Sequence, residues 1–219
     1  MAEGGIYILQ QSYNWSIDVG WFNNILRKNK IIIIIGPTGS GKTTLANYLC
    51  DKYSCFEIVL ITTTREPRKE EKIEQYNYIC EDDYIELFRN HRLVMTRIKK
   101  QPFYGYKEND VKKSLDNGKI PILLFRSSGF KCMCELNLNL DNVYLISLTC
   151  KWEDAALHSL DKILLDKKTD IIRVLDDNAS AMRNIGLNEK HIELFNEYND
   201  SFFSNSKLID LLNNIKEEI

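Results

Sequence analysis

The part of this sequence with the most evident chemistry is a glycine-rich run that ends in a lysine and a threonine. It reads Gly36-Pro37-Thr38-Gly39-Ser40-Gly41-Lys42-Thr43 and matches the pattern G-x-x-x-x-G-K-[ST]. Glycines let the backbone curl so that its N–H groups and the N-terminus of a following helix face one anion. In such a loop the lysine reaches the β- and γ-phosphates of a nucleotide, and the hydroxyl of Thr43 holds Mg²⁺. The run therefore predicts a binding site for a nucleoside triphosphate.

The residues on either side of the run predict the elements that position it. Five isoleucines, Ile31–Ile35, are typical of a strand that is buried on both faces. The residues after the run continue as a helix to about Tyr53. A strand, a turn and a helix in this order are the context in which the pattern counts as a phosphate loop. An ordinary glycine-rich turn is the alternative, and it is disfavoured because every fixed position and both flanks agree.

Composition and charge exclude several classes of protein. The net charge is -2, which provides no field for a polyanion, so we expect no nucleic-acid partner. No apolar run is long enough to span a membrane, and the N-terminus has no secretory pattern. The cysteines include no C-x-x-C pair, so we expect free, reduced thiols in a cytoplasmic protein. The oligomeric state stays open.

Strands that alternate with helices predict an α/β fold with a parallel sheet covered on both faces. The predicted strands are 6–10, 31–35, 56–61, 76–79, 93–98, 120–125, 142–148 and 201–204. The predicted helices are 17–28, the phosphate-loop helix, one from Asp82 or Asp83 to Asn90, 108–116, 152–185, and a closing helix with Leu208, Leu211, Leu212 and Ile215 on one face. Residues 62–68 are predicted as a surface loop and 103–105 as a turn.

Two arginines in the predicted loop 62–68 are candidate phosphate ligands. Ligands of parallel sheets gather at the carboxyl ends of the strands, so we expect this loop beside the phosphate loop. Arg65 and Arg68 match phosphate oxygens in a bidentate way, and each charge-assisted hydrogen bond contributes about 1.5–3 kcal/mol. Tyr76 and Tyr104 are candidates to donate a phenol hydrogen bond to the same phosphate. The alternative is that the arginines are solvated and the tyrosines are half-buried packing residues.

In their order along the chain, these residues resemble the guanylate kinase family. The resemblance runs from about Ile31 to Ile215. Its motifs are the phosphate loop, Thr63-Thr64-Arg65-Glu66-Pro67-Arg68 for the family's T-T-R-x-P-R, a glutamate at 70 or 71, Tyr76-Asn77-Tyr78 for D-Y-x-F, Tyr104-Gly105 for Y-Y-G, and Asp200 to Asn205 for D-x-x-x-x-N.

The resemblance implies a P-loop parallel-sheet core flanked by helices, with an inserted monophosphate-binding subdomain and a helical lid. On this basis residues 1–29 are an N-terminal extension and 30–219 are the guanylate-kinase-like domain. Within it, the core is 30–61, 111–151 and 187–219, the monophosphate-binding subdomain is 62–110, and the lid is 152–186. In this family ATP gives its γ-phosphoryl group to a nucleoside monophosphate, by default GMP or dGMP.

The family's functional residues carry over to matching positions of this sequence. The resemblance implies catalytic roles for Lys42, Arg65 and Arg173. It implies ATP binding by Gly36, Pro37, Thr38, Gly39, Ser40, Gly41, Lys42, Thr43, Thr44 and Asn205, with Thr43 as the ligand of Mg²⁺. It implies acceptor binding by Thr63, Arg65, Arg68, Glu71, Tyr76, Tyr104 and Arg126. The partners are therefore expected to be small-molecule nucleotides.

The sequence departs from the family at acidic positions. The family's D-x-D-x-x-G, whose acids lie at the metal, the phosphate and the guanine, is replaced by Leu124-Phe125-Arg126-Ser127-Ser128-Gly129. Met95 falls near the family's guanine-reading glutamate, and Tyr106 falls near its small hydroxyl residue. A buried carboxylate that accepts from guanine N–H groups is a strong discriminator, so the guanine-reading half is expected to be rewritten. The lid is also thinner in arginine, with Ser159-Leu160 in place of an R-L pair.

Three functions remain open at this point. The first is an ATP-dependent kinase for GMP or dGMP. The second is a guanylate-kinase-like binding or regulatory module that has lost transfer, which the missing acids favour and the intact phosphate loop opposes. The third is a kinase whose acceptor is another phosphorylated nucleoside or a phosphorylated sugar.

Overall fold

A computed structural model describes residues 6–8, 15–67, 76–97, 102–126, 138–151, 154 and 190–217. The predicted lid, 152–186, lies outside these residues apart from Asp154. Elements are labelled below in chain order over the described residues.

The described strands form two sheets. Their bounds are β1 Ile6–Ile8, β2 Trp15–Asp18, β3 Ile31–Ile35, β4 Phe56–Ile58, β5 Ile61–Thr63, β6 Tyr76–Tyr78, β7 Leu93–Arg97, β8 Tyr104–Lys107, β9 Ile120–Phe125, β10 Val143–Thr149 and β11 His191–Phe195. One sheet has six strands in the order β1-β2-β7-β8-β5-β6, and the other has five in the order β11-β10-β3-β9-β4. The pairs β3–β9 and β10–β11 are parallel, which confirms the predicted α/β architecture.

The described helices lie between and after these strands. They are α1 Val19–Lys28, α2 Lys42–Lys52, α3 Glu81–Arg89, α4 Glu108–Asp116, a 3-10 helix Asp200–Ser204 and α5 Ser206–Glu217. Among the described residues, no helix combines the length and the apolar character that crossing a bilayer requires.

The residues of the described chain cluster into two compact units. Unit 1 takes the described residues within 1–31, 54–121 and 132–142, and unit 2 those within 32–53, 122–131 and 143–219. The predicted division into extension, core, monophosphate-binding subdomain and lid stays a prediction.

Unit 2 is built around strands that the hydrophobic pattern predicts well. The β3 residues Ile31–Ile35, of which all but Ile31 belong to unit 2, are at most 1% exposed, so this strand is buried on both faces as expected. The stripe of the closing helix is buried along α5, also as expected. The pattern misses β11, which pairs with β10 from Leu145↔His191 to Thr149↔Phe195. Since β11 lies at the sheet edge and exposes Phe195, its apolar residues do not form the continuous run of a buried strand.

Unit 1 contains the six-stranded sheet, and here several sequence predictions are wrong. The segment 56–61 is not one strand: β4 ends at Ile58 and a separate strand, β5, begins at Ile61. Thr62 and Thr63 are fully buried in β5 and do not belong to a surface loop. The predicted turn at 103–105 is wrong for its last two residues, which begin β8, where Tyr104 pairs with Thr63.

Further corrections concern the ends of elements. The predicted helix 17–28 begins at Val19, because Trp15–Asp18 is a strand that pairs with β7. Helix α3 is capped by Cys80, whose Sγ accepts from the Asp83 N–H, and neither Asp82 nor Asp83 is the cap. Its buried residue is Tyr84, whereas Ile85, Leu87 and Phe88 are half-buried. The predicted strand 201–204 is a 3-10 helix. By contrast, α4 ends at Asp116 before Gly118, whose φ of 67° gives the predicted left-handed stop.

Candidate nucleotide-binding site

The glycine-rich loop lies in unit 2, between the end of β3 and the start of α2. Gly39 and Gly41 have φ angles of 85° and 89°, in the left-handed region that favours glycine. A Cβ on Gly36 would lie 2.7 Å from the backbone oxygen of Leu148, and a Cβ on Gly41 would lie 2.6 Å from Nδ2 of Asn196. The glycines are therefore required both by the curl of the loop and by the close approach of its neighbours.

Lys42, the first residue of α2, points back along the loop. Its Nζ donates to the carbonyl oxygens of Gly36 at 2.8 Å and Pro37 at 2.6 Å. The side chain is half-buried, and these two hydrogen bonds hold the ammonium group at the loop that leads into α2. This arrangement concentrates positive charge where a phosphate would sit.

The remaining predicted donor-site residues line the same loop and the first turn of α2. Ser40 is fully buried, and its Oγ has no hydrogen-bond partner among the described residues. Pro37 is buried, Thr38 and Thr43 are half-buried, and Thr44 is exposed. Asn205 lies elsewhere in unit 2, where its Oδ1 accepts from the Lys207 N–H and caps α5.

Asn196 and Tyr198, which follow β11, contact the phosphate loop. Sequence reasoning identified neither residue. Asn196 is 7% exposed; its Nδ2 donates to the Ser40 oxygen at 3.1 Å and its own N–H donates to the Thr149 oxygen at 2.8 Å. The Tyr198 hydroxyl donates to the Gly39 oxygen at 2.6 Å. The signal in the sequence is weak, since it consists of a polar run, Asn196 to Asn199, directly after a strand that was itself not predicted.

Cys150 and Tyr198 form a hydrogen-bonded pair beside the loop. Burial raises the pKa of the Tyr198 phenol above its ordinary range, and the bond with Cys150 raises it further. Burial also raises the pKa of the Cys150 thiol. Both groups are therefore protonated at neutral pH, and the phenol keeps the hydrogen that it donates to the Gly39 oxygen. The described cysteines, 50, 55, 80 and 150, are free, as expected.

The donor set of the described residues bears on the predicted magnesium ion. The described ranges contain no group of three or more His, Cys, Asp or Glu side chains that could hold a metal. Mg²⁺ is commonly bound through substrate phosphates and water with few protein ligands. The half-buried hydroxyl of Thr43 at the loop fits this mode, in which the nucleotide supplies the anionic oxygens.

Unit 1 contains four of the predicted acceptor residues, Thr63, Arg65, Tyr76 and Tyr104. The guanidinium carbon of Arg65 is 5.0 Å from the centroid of the Tyr76 ring and 5.6 Å from that of Tyr78. Arg65 Nη1 donates to the Glu66 oxygen at 2.8 Å, and its Nη2 donates to the Tyr78 hydroxyl at 3.4 Å. Cation–π contacts and hydrogen bonds together hold the guanidinium plane in one orientation. Sequence reasoning did not identify Tyr78 as part of this cluster.

Thr63 and Thr64 fix the backbone from which Arg65 projects. The Thr63 hydroxyl donates to the Phe103 oxygen at 2.8 Å and accepts from the Arg65 N–H at 3.2 Å. The Thr64 hydroxyl accepts from the Phe103 N–H at 2.9 Å. Tyr104, the next residue after Phe103, is half-buried at the start of β8. Thr63, Tyr76 and Tyr104 thus lie in strands of one sheet, and Arg65 follows two residues after the end of β5.

The other predicted positions are distributed as follows. Arg68, Glu71 and Arg173 lie outside the described residues. Arg126 is half-buried directly after β9, in unit 2, and Leu124 is half-buried within that strand. Met95 lies in β7 and Tyr106, which is 2% exposed, lies in β8.

The parallel sheet, the glycine loop at the end of β3 and the helix that begins at Lys42 define a P-loop α/β protein. A family model described as Guanylate kinase matches residues 28–184. The chain is 31% identical to a guanylate kinase of Campylobacter jejuni (strain RM1221) over 156 residues, which cover 68% of this chain and 73% of that protein. It is 34% identical to a guanylate kinase of Helicobacter pylori (strain ATCC 700392 / 26695) over 93 residues, or 42% of this chain and 45% of that protein.

A solved structure has a similar fold. The crystal structure of guanylate kinase from Anaplasma phagocytophilum matches with a TM-score of 0.57 and 19% identity, over 84% of this chain and 85% of that one. The chain belongs to the guanylate kinase family, whose enzymes are nucleoside monophosphate kinases.

Proposed function

We propose that this chain is an ATP-dependent kinase that transfers the γ-phosphoryl group of ATP to a nucleoside monophosphate, with GMP or dGMP as the family's acceptors. The observation that carries the proposal is the geometry at Lys42. Its ammonium group is held at a loop whose left-handed glycines curl around the N-terminus of α2. Membership of the guanylate kinase family supports the same reaction.

The proposed reaction is an in-line displacement at the γ-phosphorus of ATP. An oxygen of the acceptor phosphate forms a bond to the γ-phosphorus, and the bond from that phosphorus to the β–γ bridging oxygen breaks. The products are ADP and a nucleoside diphosphate. Positioning and charge stabilisation supply most of the catalysis in such transfers, so a general base is not required. Mg²⁺, when bound with Thr43 as its protein ligand, neutralises charge on the phosphates of ATP.

In this proposal Lys42 acts at the donor and Arg65 at the acceptor. Lys42 neutralises charge that develops on the β- and γ-phosphates. Arg65, whose guanidinium group contacts the rings of Tyr76 and Tyr78, presents two N–H groups to the acceptor phosphate. The Tyr104 hydroxyl donates a hydrogen bond to the same phosphate. Arg68, Glu71, Arg126 and the lid residue Arg173 complete the proposed acceptor and transition-state contacts, and Asn205 is proposed to contact ATP.

A coupled assay of ADP formation tests the proposal. The purified 219-residue chain would be given MgATP and, one at a time, GMP, dGMP, AMP, UMP, dTMP and a phosphosugar. Acceptor-dependent ADP release with GMP or dGMP, together with a new nucleoside diphosphate detected by chromatography, is the expected result. No acceptor-dependent ADP release from a folded protein with any member of the panel would overturn it.

The second candidate is a nucleotide-binding or regulatory module without transfer. The observation that favours it is the cation at Arg126, half-buried after β9, where the resemblance expects an acid. Isothermal titration separates the two functions. A module would bind MgATP or GMP with a measurable heat and release no ADP, whereas the kinase would turn both over.

A further inference from the structure

The phosphate loop accepts hydrogen bonds from the segment that follows β11. The reaction proposed above assigns no part to this segment. Asn196 Nδ2 donates to the Ser40 oxygen, and the Tyr198 hydroxyl donates to the Gly39 oxygen. Two consecutive carbonyl groups of the loop are therefore held by two residues that belong to one short segment. All four residues lie within unit 2.

These contacts fix the direction of the loop's N–H groups as well as its carbonyl groups. In a planar trans peptide, the C=O and the N–H of the next residue point in opposite directions. Because the Ser40 C=O points toward Asn196, the N–H of Gly41 points away from it. Because the Gly39 C=O points toward Tyr198, the N–H of Ser40 is turned to the Pro37 oxygen, to which it donates at 3.3 Å. Of these two N–H groups, the one that the Asn196 contact can direct toward a phosphate is therefore that of Gly41, and the Tyr198 contact fixes the turn that precedes it.

The supporting segment is itself anchored to the sheet. The Asn196 N–H donates to the Thr149 oxygen at the end of β10, and its Oδ1 accepts from the Tyr198 N–H at 2.7 Å. Tyr198 has a φ of 57°, which is uncommon for a residue other than glycine and costs about 1–2 kcal/mol. A tyrosine held in this conformation by hydrogen bonds at both its backbone and its hydroxyl indicates that its placement has a function.

We infer that Asn196 and Tyr198 are positioning residues that hold the phosphate loop in its anion-binding conformation before the nucleotide arrives. They act on Gly39 and Ser40 and through them on the Gly41 N–H. The inference rests on the proposed function in one respect, namely that the ligand of the loop is MgATP, and it can be measured as binding without transfer.

The test uses Tyr198→Phe, which removes one hydroxyl and keeps the ring, with Tyr48→Phe as the matched control. Tyr48 lies on α2, and its hydroxyl accepts from Lys52 Nζ at 2.9 Å in an exposed bond that does not involve the loop. The Kd of MgATP is measured by titration calorimetry and the melting temperature by scanning calorimetry. Loss of one net hydrogen bond is expected to raise the Kd by roughly two- to tenfold in Tyr198→Phe. The control is expected to match the wild-type chain.

A second variant, Asn196→Asp, keeps the acceptor for the Tyr198 N–H and replaces the donor to Ser40 with a carboxylate oxygen. We expect a larger rise in Kd, and a shift of the Gly41 amide signal in ¹⁵N–¹H spectra of the nucleotide-free protein.

A Tyr198→Phe protein with unchanged Kd and a lowered melting temperature would show a merely structural role and overturn the inference. Wild-type chain that binds MgATP but transfers nothing would overturn the proposed function alone. Wild-type chain that binds no MgATP would overturn both.

Discussion

The guanidinium carbon of Arg65 lies 5.0 Å from the centroid of the Tyr76 ring, within the range of a cation–π contact. A second ring, that of Tyr78, lies 5.7 Å from the first and is tilted by 39°. One residue separates the two tyrosines along β6, so their side chains lie on the same face of the strand. A short Tyr-Asn-Tyr strand thus presents a paired aromatic surface to one arginine, and this pairing gives the guanidinium a fixed plane.

Replacing Arg65 with lysine is therefore expected to impair use of the acceptor. Lysine keeps the charge but loses the planar fork and the stacking on both rings. A lost charge-assisted bond of about 1.5–3 kcal/mol corresponds to roughly one to two orders of magnitude in kcat/KM for the acceptor. The matched control is Arg89→Lys at the exposed end of α3. Weaker MgATP binding with unchanged acceptor kinetics would assign Arg65 to the donor site instead. Arg68→Ala carries the same expectation.

Lys42→Ala is expected to abolish transfer and to leave the protein folded. The substitution removes the ammonium group that donates to Gly36 and Pro37 and that would meet the β- and γ-phosphates. The control is Lys52→Ala on the same helix, because Lys52 is exposed and donates to Tyr48. Circular dichroism checks the fold, and the coupled assay checks turnover. Wild-type turnover and MgATP affinity in a folded Lys42→Ala protein would contradict the central proposal.

Gly41→Ala is expected to weaken MgATP binding far more than Gly118→Ala does, although both substitutions should lower the free energy of unfolding. Its φ of 89° is strained for alanine, and the new Cβ would lie 2.6 Å from Asn196 Nδ2. Gly118→Ala is a matched control, since Gly118 has a φ of 67° and a Cβ added there would have no neighbour within 4 Å. Both variants should lose about 1–2 kcal/mol from the left-handed strain. Equal MgATP affinity in the two variants would show that the contact with Asn196 has no bearing on the loop.

The phosphate loop is predictable from sequence because its determinants are local. The isoleucines of β3, the glycines and the start of α2 are contiguous, and each element requires the residue types found there. The supporting contacts are not predictable in this way. Asn196 and Tyr198 reach Ser40 and Gly39 across 156 and 159 residues of chain. Nothing in the local pattern indicates which polar residues will meet the loop.

The segment around Thr63 is a second case in which a distant partner makes the sequence prediction wrong. Its polarity and the nearby proline predict an exposed loop, but Thr62 and Thr63 are buried in β5. Their burial is possible because the Thr63 hydroxyl donates to the Phe103 oxygen, 40 residues further along the chain, and the Thr62 hydroxyl accepts from Asn77 Nδ2. A polar pattern therefore reports exposure only where the hydroxyl groups have no distant partner.

The stability of the protein is expected to fall as the pH drops below about 6.5 because of His191. Burial lowers the pKa of His191 from its ordinary value of 6.5, and the neighbouring Glu193 offsets part of this effect. The His191 Nε2 lies 2.8 Å from the Ser147 Oγ, while its Nδ1 is buried with no hydrogen-bond partner among the described residues. The unfolded chain then binds a proton at a higher pH than the folded chain does. The free energy of unfolding therefore decreases as the pH falls through 6.5 toward the folded pKa.

The measurement is denaturant unfolding at several values between about pH 7.5 and pH 5. His191→Gln is expected to flatten the dependence of the free energy of unfolding on pH in this window. His91→Asn is the control, since His91 is exposed with a φ of 55° that asparagine tolerates. An identical slope in His191→Gln and the wild-type chain would show that His191 does not set this dependence.

The last prediction concerns the acceptor. By resemblance to the family, Met95, Leu124 and Arg126 stand where carboxylates are expected, and Tyr106 stands where a small hydroxyl residue is expected. Three lost anions and one gained cation should make the acceptor pocket less selective for the ring-edge donors of guanine and more favourable to negative charge. Discrimination between GMP and other monophosphates should therefore fall well below the roughly 10⁴-fold that a dedicated hydrogen-bonding pocket reaches, or a more anionic acceptor should be preferred. The ratio of kcat/KM for GMP to that for AMP, UMP, dTMP and a phosphosugar measures this directly, and Arg126→Asp is expected to shift the ratio toward GMP. A strong and exclusive preference of the wild-type chain for GMP would show that other residues read guanine, and the assignment of Met95 and Arg126 to those positions would then be wrong.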